Sequence, residues 1–83
     1  MKINVHYFAA VREALGRDAE TLETQAPTLA ALRDELIARG EPYAAALARG
    51  KAVRAALDRA MQDEGAALHE DAEVAFFPPV TGG

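Results

Sequence analysis

The sequence predicts an α+β domain, and three stretches carry that prediction. In "KINVHYF", Ile3, Val5 and Tyr7 alternate with Lys2, Asn4 and His6, the period-2 pattern of a half-buried strand. "TLAALRDELIARG" sets Leu29, Leu32, Leu36 and Ile37 on one helical stripe, with Thr28 placed to N-cap it and Gly40 to end it. "AEVAFF" reads as a strand again, with Val74 and Phe76 on one face and Ala75 and Phe77 on the other. Apolar residues on both faces mean a central strand, or a strand with one face kept for a partner.

The remaining segments fill in the order. "FAAVREALG" carries Phe8, Val11 and Leu15 at helical spacing and closes on Gly16, a residue suited to the C′ position. "DAETLETQ" is a weaker strand resting on Thr21, Leu22 and Thr24, and "EPYAAALA" predicts a short helix with Pro42 in its first turn. "VRAALDRAMQ" fits two states, because Val53, Leu57 and Met61 suit a helix at i, i+4, i+8 and also share parity in a strand. Its alanines and its periodicity, taken alone, favour the helix. No repeat, linker or low-complexity run interrupts the chain. One domain over residues 1–79 is expected, followed by a tail of residues 80–83.

Composition narrows the function. With 83 residues there is room for one core, and 20 alanines make large core formers scarce. The absence of cysteine excludes disulfide staples and a thiol nucleophile. A net charge of -4, with nine basic residues dispersed along the chain, argues against nucleic acid as a ligand and suits a basic protein partner. No segment has transmembrane length, and the alternating N-terminus lacks the apolar run of a signal peptide, so a cytoplasmic protein with no membrane partner is expected. His6 and His69 have no carboxylate or cysteine at metal-ligand spacing. Glu70, Asp71 and Glu73 read as a solvated turn before the last strand, with a secondary role towards a basic partner. Without a Gly-rich phosphate loop or a Ser-His-Asp set, the chain is expected to bind no cofactor itself.

The tail "FFPPVTGG" carries the chemistry. Pro78 and Pro79 end the strand and favour extended geometry that aims the chain outward. Val80 and Thr81 lead to Gly82 and Gly83, a thread without side chains that can enter a narrow active site on another protein. A terminal carboxylate becomes an acyl donor once ATP converts it to an acyl-adenylate, which a sulfur nucleophile or an amine can then attack.

"EVAFFPPVTGG", "YFAAVREALG" and "TLAALRDEL" together closely resemble the small subunits of molybdopterin synthase, from one end of the chain to the other. That family consists of ubiquitin-like β-grasp sulfur carriers. The resemblance implies a mixed sheet packed on one main helix, here from about Thr28 to Arg39. It implies that Gly83 is adenylated by a ubiquitin-activating-like adenylyltransferase using ATP, converted to a thiocarboxylate and inserted into the synthase large subunit. Val80, Thr81 and Gly82 would thread the way in. The sulfur would pass to cyclic pyranopterin monophosphate, two transfers building the dithiolene, within a heterotetramer of two small and two large subunits. The chain is then an enzyme only as a subunit. The resemblance also makes "VRAALDRAM" a hairpin, with Asp58 where the family usually has Asn in the turn. It implies an apolar docking patch of Phe8, Met61 and Phe77, with Arg12 available to an acidic partner residue. A sulfur carrier for thiazole synthesis or tRNA thiolation, or a ubiquitin-like modifier joined to lysines through Gly83, are the alternatives.

Overall fold

A parallel pair of strands formed from the two ends of the domain sits at the centre of the sheet. The computed structural model describes residues 1–79. Its elements are β1 (Lys2–Tyr7), α1 (Ala9–Leu15), β2 (Ala19–Glu23), α2 (Leu29–Ile37), α3 (Tyr43–Ala46), β3 (Arg54–Leu57), β4 (Ala60–Met61) and β5 (Ala72–Phe77). The five strands lie in the order β2-β1-β5-β3-β4, with β1 and β5 parallel and the other neighbours antiparallel.

The register explains the core. Ile3 lies beside Ala72, Val5 beside Val74 and Tyr7 beside Phe76, and all six are buried. Leu22 extends the first of these rows from β2, and Ala55 extends the last from β3. Leu29, Leu32 and Leu36 of α2 cover this face and are fully buried. The Thr28 hydroxyl accepts the Ala31 N–H at 3.2 Å, so the cap falls where the sequence placed it. Gly16 takes φ +74° at the end of α1, a conformation that glycine adopts without a Cβ penalty. Phe8 departs from the helical spacing read with Val11 and Leu15. It is the N-cap of α1 in extended geometry, and it is half exposed while Val11 is buried.

The ambiguous segment is a hairpin. Leu57 pairs with Ala60, and Ala56 with Met61, across a two-residue loop. Asp58 and Arg59 have φ +50° and +71°, the two positive angles of a type I′ turn, which matches the twist of an antiparallel pair. Pairing with β5 overrides the helical preference of the alanines. A polar clip holds the turn. Asp58 N–H donates to the Glu73 carbonyl at 2.7 Å, the Glu73 N–H returns to Asp58 Oδ1 at 3.0 Å, and Asp58 Oδ2 receives His69 Nε2.

Two further polar clusters tie the helices down. Arg33, on α2, is 3% exposed. Its Nε donates to the Leu47 carbonyl and its Nη2 to the Ala48 carbonyl, both at 2.8 Å, while Nη1 meets Glu64 at 2.7 Å. Glu20 lies opposite Val5 in the register, on the core side of β2. It accepts the Tyr7 and Tyr43 hydroxyls at 2.8 Å each, and the Arg39 guanidinium at 2.9 Å. Burial opposes the charge on Glu20, but the hydrogen bonds from Arg39, Tyr43 and Tyr7 prevail and hold its carboxyl below the ordinary value.

Replacing Arg33 by methionine keeps an apolar stem but takes the guanidinium donor from the Leu47 carbonyl and weakens two shared sites, the Ala48 carbonyl, which keeps the Lys51 N–H, and Glu64, which keeps Arg49. The expected loss is about 2–4 kcal/mol of unfolding free energy, read from a urea melt; an unchanged midpoint would show the guanidinium to be dispensable. The Asp58–His69 pair makes stability depend on pH. Hydrogen bonds to Asp58 and to the Glu70 carbonyl raise the His69 pKa above 6.5, so its contribution is complete below pH 6.5 and fades as pH rises through the raised value. The Glu73 N–H and His69 lower the Asp58 pKa below 3.8, so its share persists until stronger acid. His69→Gln, which mimics the neutral ring, should therefore lower the melting temperature at pH 6, with the deficit shrinking by pH 9. An equal deficit at both values would contradict the ion pair.

Candidate functional site

The site is the sheet face turned away from α2, together with the root of the tail. Parity on β5 divides its side chains: Val74 and Phe76 are buried in the core, whereas Ala75 and Phe77 are half-buried on the opposite face. Because β5 pairs with β1 on one side and β3 on the other, it has no free edge. It can offer a partner only these alternate side chains.

The register builds the outer face row by row. His6 lies beside Ala75, Ala75 beside Ala56, and Ala56 beside Met61. Met61 is 63% exposed at one end of this row. In the next row Phe77 lies beside Arg54. Phe8 follows Tyr7 in extended geometry, and its N–H donates to the Phe76 carbonyl at 3.1 Å, which fixes it beside the end of β5. The alanines form a low floor between Met61 and the two phenylalanines. Three of the four docking residues expected from the sequence, Phe8, Met61 and Phe77, thus share one face. Arg12 is exposed on α1, whose Val11 faces the core. Gly83, Gly82, Thr81 and Val80 lie outside the described residues.

The polar groups of this face were invisible to linear spacing. His6 Nε2 meets Glu73 Oε1 at 2.7 Å across β1 and β5, and His69 meets Asp58. Both histidines therefore have carboxylate partners distant in sequence. Among the described residues no group of three or more His, Cys, Asp or Glu side chains could hold a metal ion. A depression of about 230 Å³ opens on the face, lined by His6, Phe8, Arg59, Glu73, Val74 and Ala75. The arrangement suits the docking of another protein: an apolar floor, an exposed aromatic and thioether, and a charged border. No described helix is long and apolar enough to cross a membrane.

The comparisons with known proteins agree with this architecture. The ThiS family model matches residues 5–83. The chain is 44% identical to the molybdopterin synthase sulfur carrier subunit of Haemophilus influenzae, covering 98% of this chain and 99% of that protein. It is 43% identical, over the same shares, to the carrier subunit of the same name from Escherichia coli. Among solved structures it superposes on SAMP1 from Haloferax volcanii with a TM-score of 0.76 at 22% identity, covering both chains fully. It also superposes on a chain from the protein–protein complex of subunits 1 and 2 of the molybdopterin-converting factor of Helicobacter pylori, with a TM-score of 0.67 at 22% identity and full coverage of both. These two likenesses establish the ubiquitin-like β-grasp fold. With a family model spanning nearly the whole chain and two relatives above 40% identity from end to end, the chain belongs to the ThiS family.

Proposed function

We propose that this chain is the sulfur-donating small subunit of a molybdopterin synthase, carrying sulfur on Gly83 and docking through the outer face of its sheet. The carrying observation is that one strand supplies both parts. β5 presents Ala75 and Phe77 outward and runs directly into Pro78 and Pro79, so a partner seated on that face also receives the tail. End-to-end identity with two molybdopterin synthase sulfur carrier subunits supports the same reading.

The chemistry belongs to the terminus and to its partners. The Gly83 carboxylate attacks the α-phosphorus of ATP on an adenylyltransferase, releasing pyrophosphate. Hydrosulfide then adds to the acyl carbon and displaces AMP, leaving a thiocarboxylate and releasing a proton. In the large subunit the thiocarboxylate sulfur bonds to a carbon of the cyclic pyranopterin monophosphate as a carbon–oxygen bond of that carbon breaks, the oxygen staying on the phosphate or leaving as water. A further water cleaves the acyl–sulfur bond to return the Gly83 carboxylate. Val80, Thr81 and Gly82 span the distance into the pocket, and Arg12 pairs with an acidic residue of a partner. Two small and two large subunits form the working assembly, and the setting is the cytoplasm.

Removing Gly83 should abolish sulfur transfer in an assay with purified large subunit and precursor while leaving the melt unchanged, because the reacting carbonyl no longer reaches the chemistry. Molybdopterin formation by the shortened chain would overturn the proposal, as would an intact mass showing Gly83 joined to lysines and never carrying sulfur. The docking face is tested by a pair of variants. Phe77→Ala should weaken association with the large subunit about tenfold to hundredfold, matching the roughly 1.5–3 kcal/mol of a buried aromatic side chain, with little change in a denaturant melt. Val74→Ala should lower the melt instead. A Phe77→Ala monomer destabilised by about 3–5 kcal/mol would place that ring in the core.

A further inference from the structure

We infer that Arg59 is a specificity-determining residue of the docking face, holding a guanidinium over the depression for a carboxylate side chain of the synthase large subunit. This rests on the docking reading given above and adds to it a residue and the chemistry that it selects. Three observations converge on Arg59. It occupies the second position of the β3–β4 turn at φ +71°, where glycine or asparagine is favoured and a long side chain is strained. It lines the same depression as Phe8, His6 and Ala75, residues of β1 and β5 or adjoining them. Its guanidinium forms no hydrogen bond or ion pair among the described residues, although two carboxylates lie close by in the fold.

Those carboxylates are already engaged. Glu73 Oε1 meets His6 at 2.7 Å, while the two oxygens of Asp58 receive the Glu73 N–H and His69. Arg59 is therefore left with its five donors open to solvent. An arginine at a position that disfavours side chains, lining an apolar-floored depression and lacking a local partner, matches a carboxylate arriving from outside. The neighbouring Phe8 and the alanine floor would exclude water around that contact and strengthen it. Charge complementarity and continuity with the apolar face together select an occupant: a partner segment with an Asp or Glu beside an apolar residue. The chain's overall negative charge repels such a segment elsewhere, so an unpaired cation here also fixes where it lands.

The test is a titration of the full chain and its variants against the molybdopterin synthase large subunit of the same organism, at low and at moderate salt. Arg59→Gly removes the charge and relieves the turn, so its melt should be equal to or higher than that of the parent. Its affinity should nevertheless fall roughly tenfold at low salt. Arg59→Glu should bind more weakly still, Arg59→Lys should recover part of the loss, and the salt dependence of binding should flatten in Arg59→Gly. Unchanged affinity in both Arg59→Gly and Arg59→Glu would overturn the assignment. Phe8→Ala separates the two levels. If it weakens binding while the Arg59 variants do not, only the arginine contact fails; if none of the three changes affinity, the docking face itself is wrong.

Discussion

The parallel pairing of β1 with β5 is the constraint on which the rest of this molecule depends. Parallel neighbours cannot be joined by a tight turn, so everything from Phe8 to Asp71 forms the connection between them. That connection must supply the neighbouring strands β2 and β3, and it must supply the helix that covers the inner face. The stacked rings of Tyr7 and Phe76, 6.4 Å apart and 15° from parallel, close the core at the end where the tail leaves. A terminal strand clamped on both edges gives Pro78 and Pro79 a fixed starting point. The last described residues, Pro78 and Pro79, are thereby rooted at the centre of the sheet.

A chain with so many alanines cannot hold its helices with large side chains alone. Polar clusters take over at two places where the apolar layer runs thin. Arg33 gathers the carbonyls of the loop after α3, and Glu20 gathers two tyrosines and Arg39 from three separate segments. Each cluster is fully satisfied; among the described residues no buried side-chain polar atom lacks a partner. That condition is what makes buried polar groups tolerable. Burial and the hydrogen bond to Glu20 push the Tyr7 hydroxyl far above a tyrosine's ordinary value, so it remains a neutral donor.

What could be read from the sequence was what depends on local period and local capping. The strand parity of Ile3, Val5 and Tyr7, the stripe of α2 with its Thr28 cap, and the two-faced character of β5 all follow from neighbours within a few residues. The hairpin could not be read that way, since Val53, Leu57 and Met61 satisfy both periods and the alanines carry no strand signal; only the resemblance pointed to it. Arg33 was invisible for a different reason. Next to Leu32 on the helix it looks like a solvent-facing residue, and two of its acceptors are backbone carbonyls 14 and 15 residues away. The carboxylate partners of His6 and His69 lie 67 and 11 residues distant, beyond any ligand-spacing rule. The outward position of Phe77 was accessible through parity, while Phe8 was named for the same face by the resemblance alone, since its local spacing grouped it with the stripe of α1 and its extended backbone shows only in the structure.

The two ends of the outer face are set by different forces. Near the tail, Phe8 and Phe77 are positioned by backbone bonds and by the core beneath Tyr7 and Phe76. At the far end, β4 has only two residues, both exposed, and contributes nothing to the core. A ladder that short is not stable by itself. The strand pairs with β3 alone, and the turn before it is held to β5 by the Asp58 clip, in which one carboxylate binds the Glu73 backbone N–H and His69. The apolar contact offered by Met61 and the cation of Arg59 are thus registered to the tail root electrostatically. The spacing between Met61 at one end of the face and Pro78 beyond the other is consequently a property of charge as well as of packing.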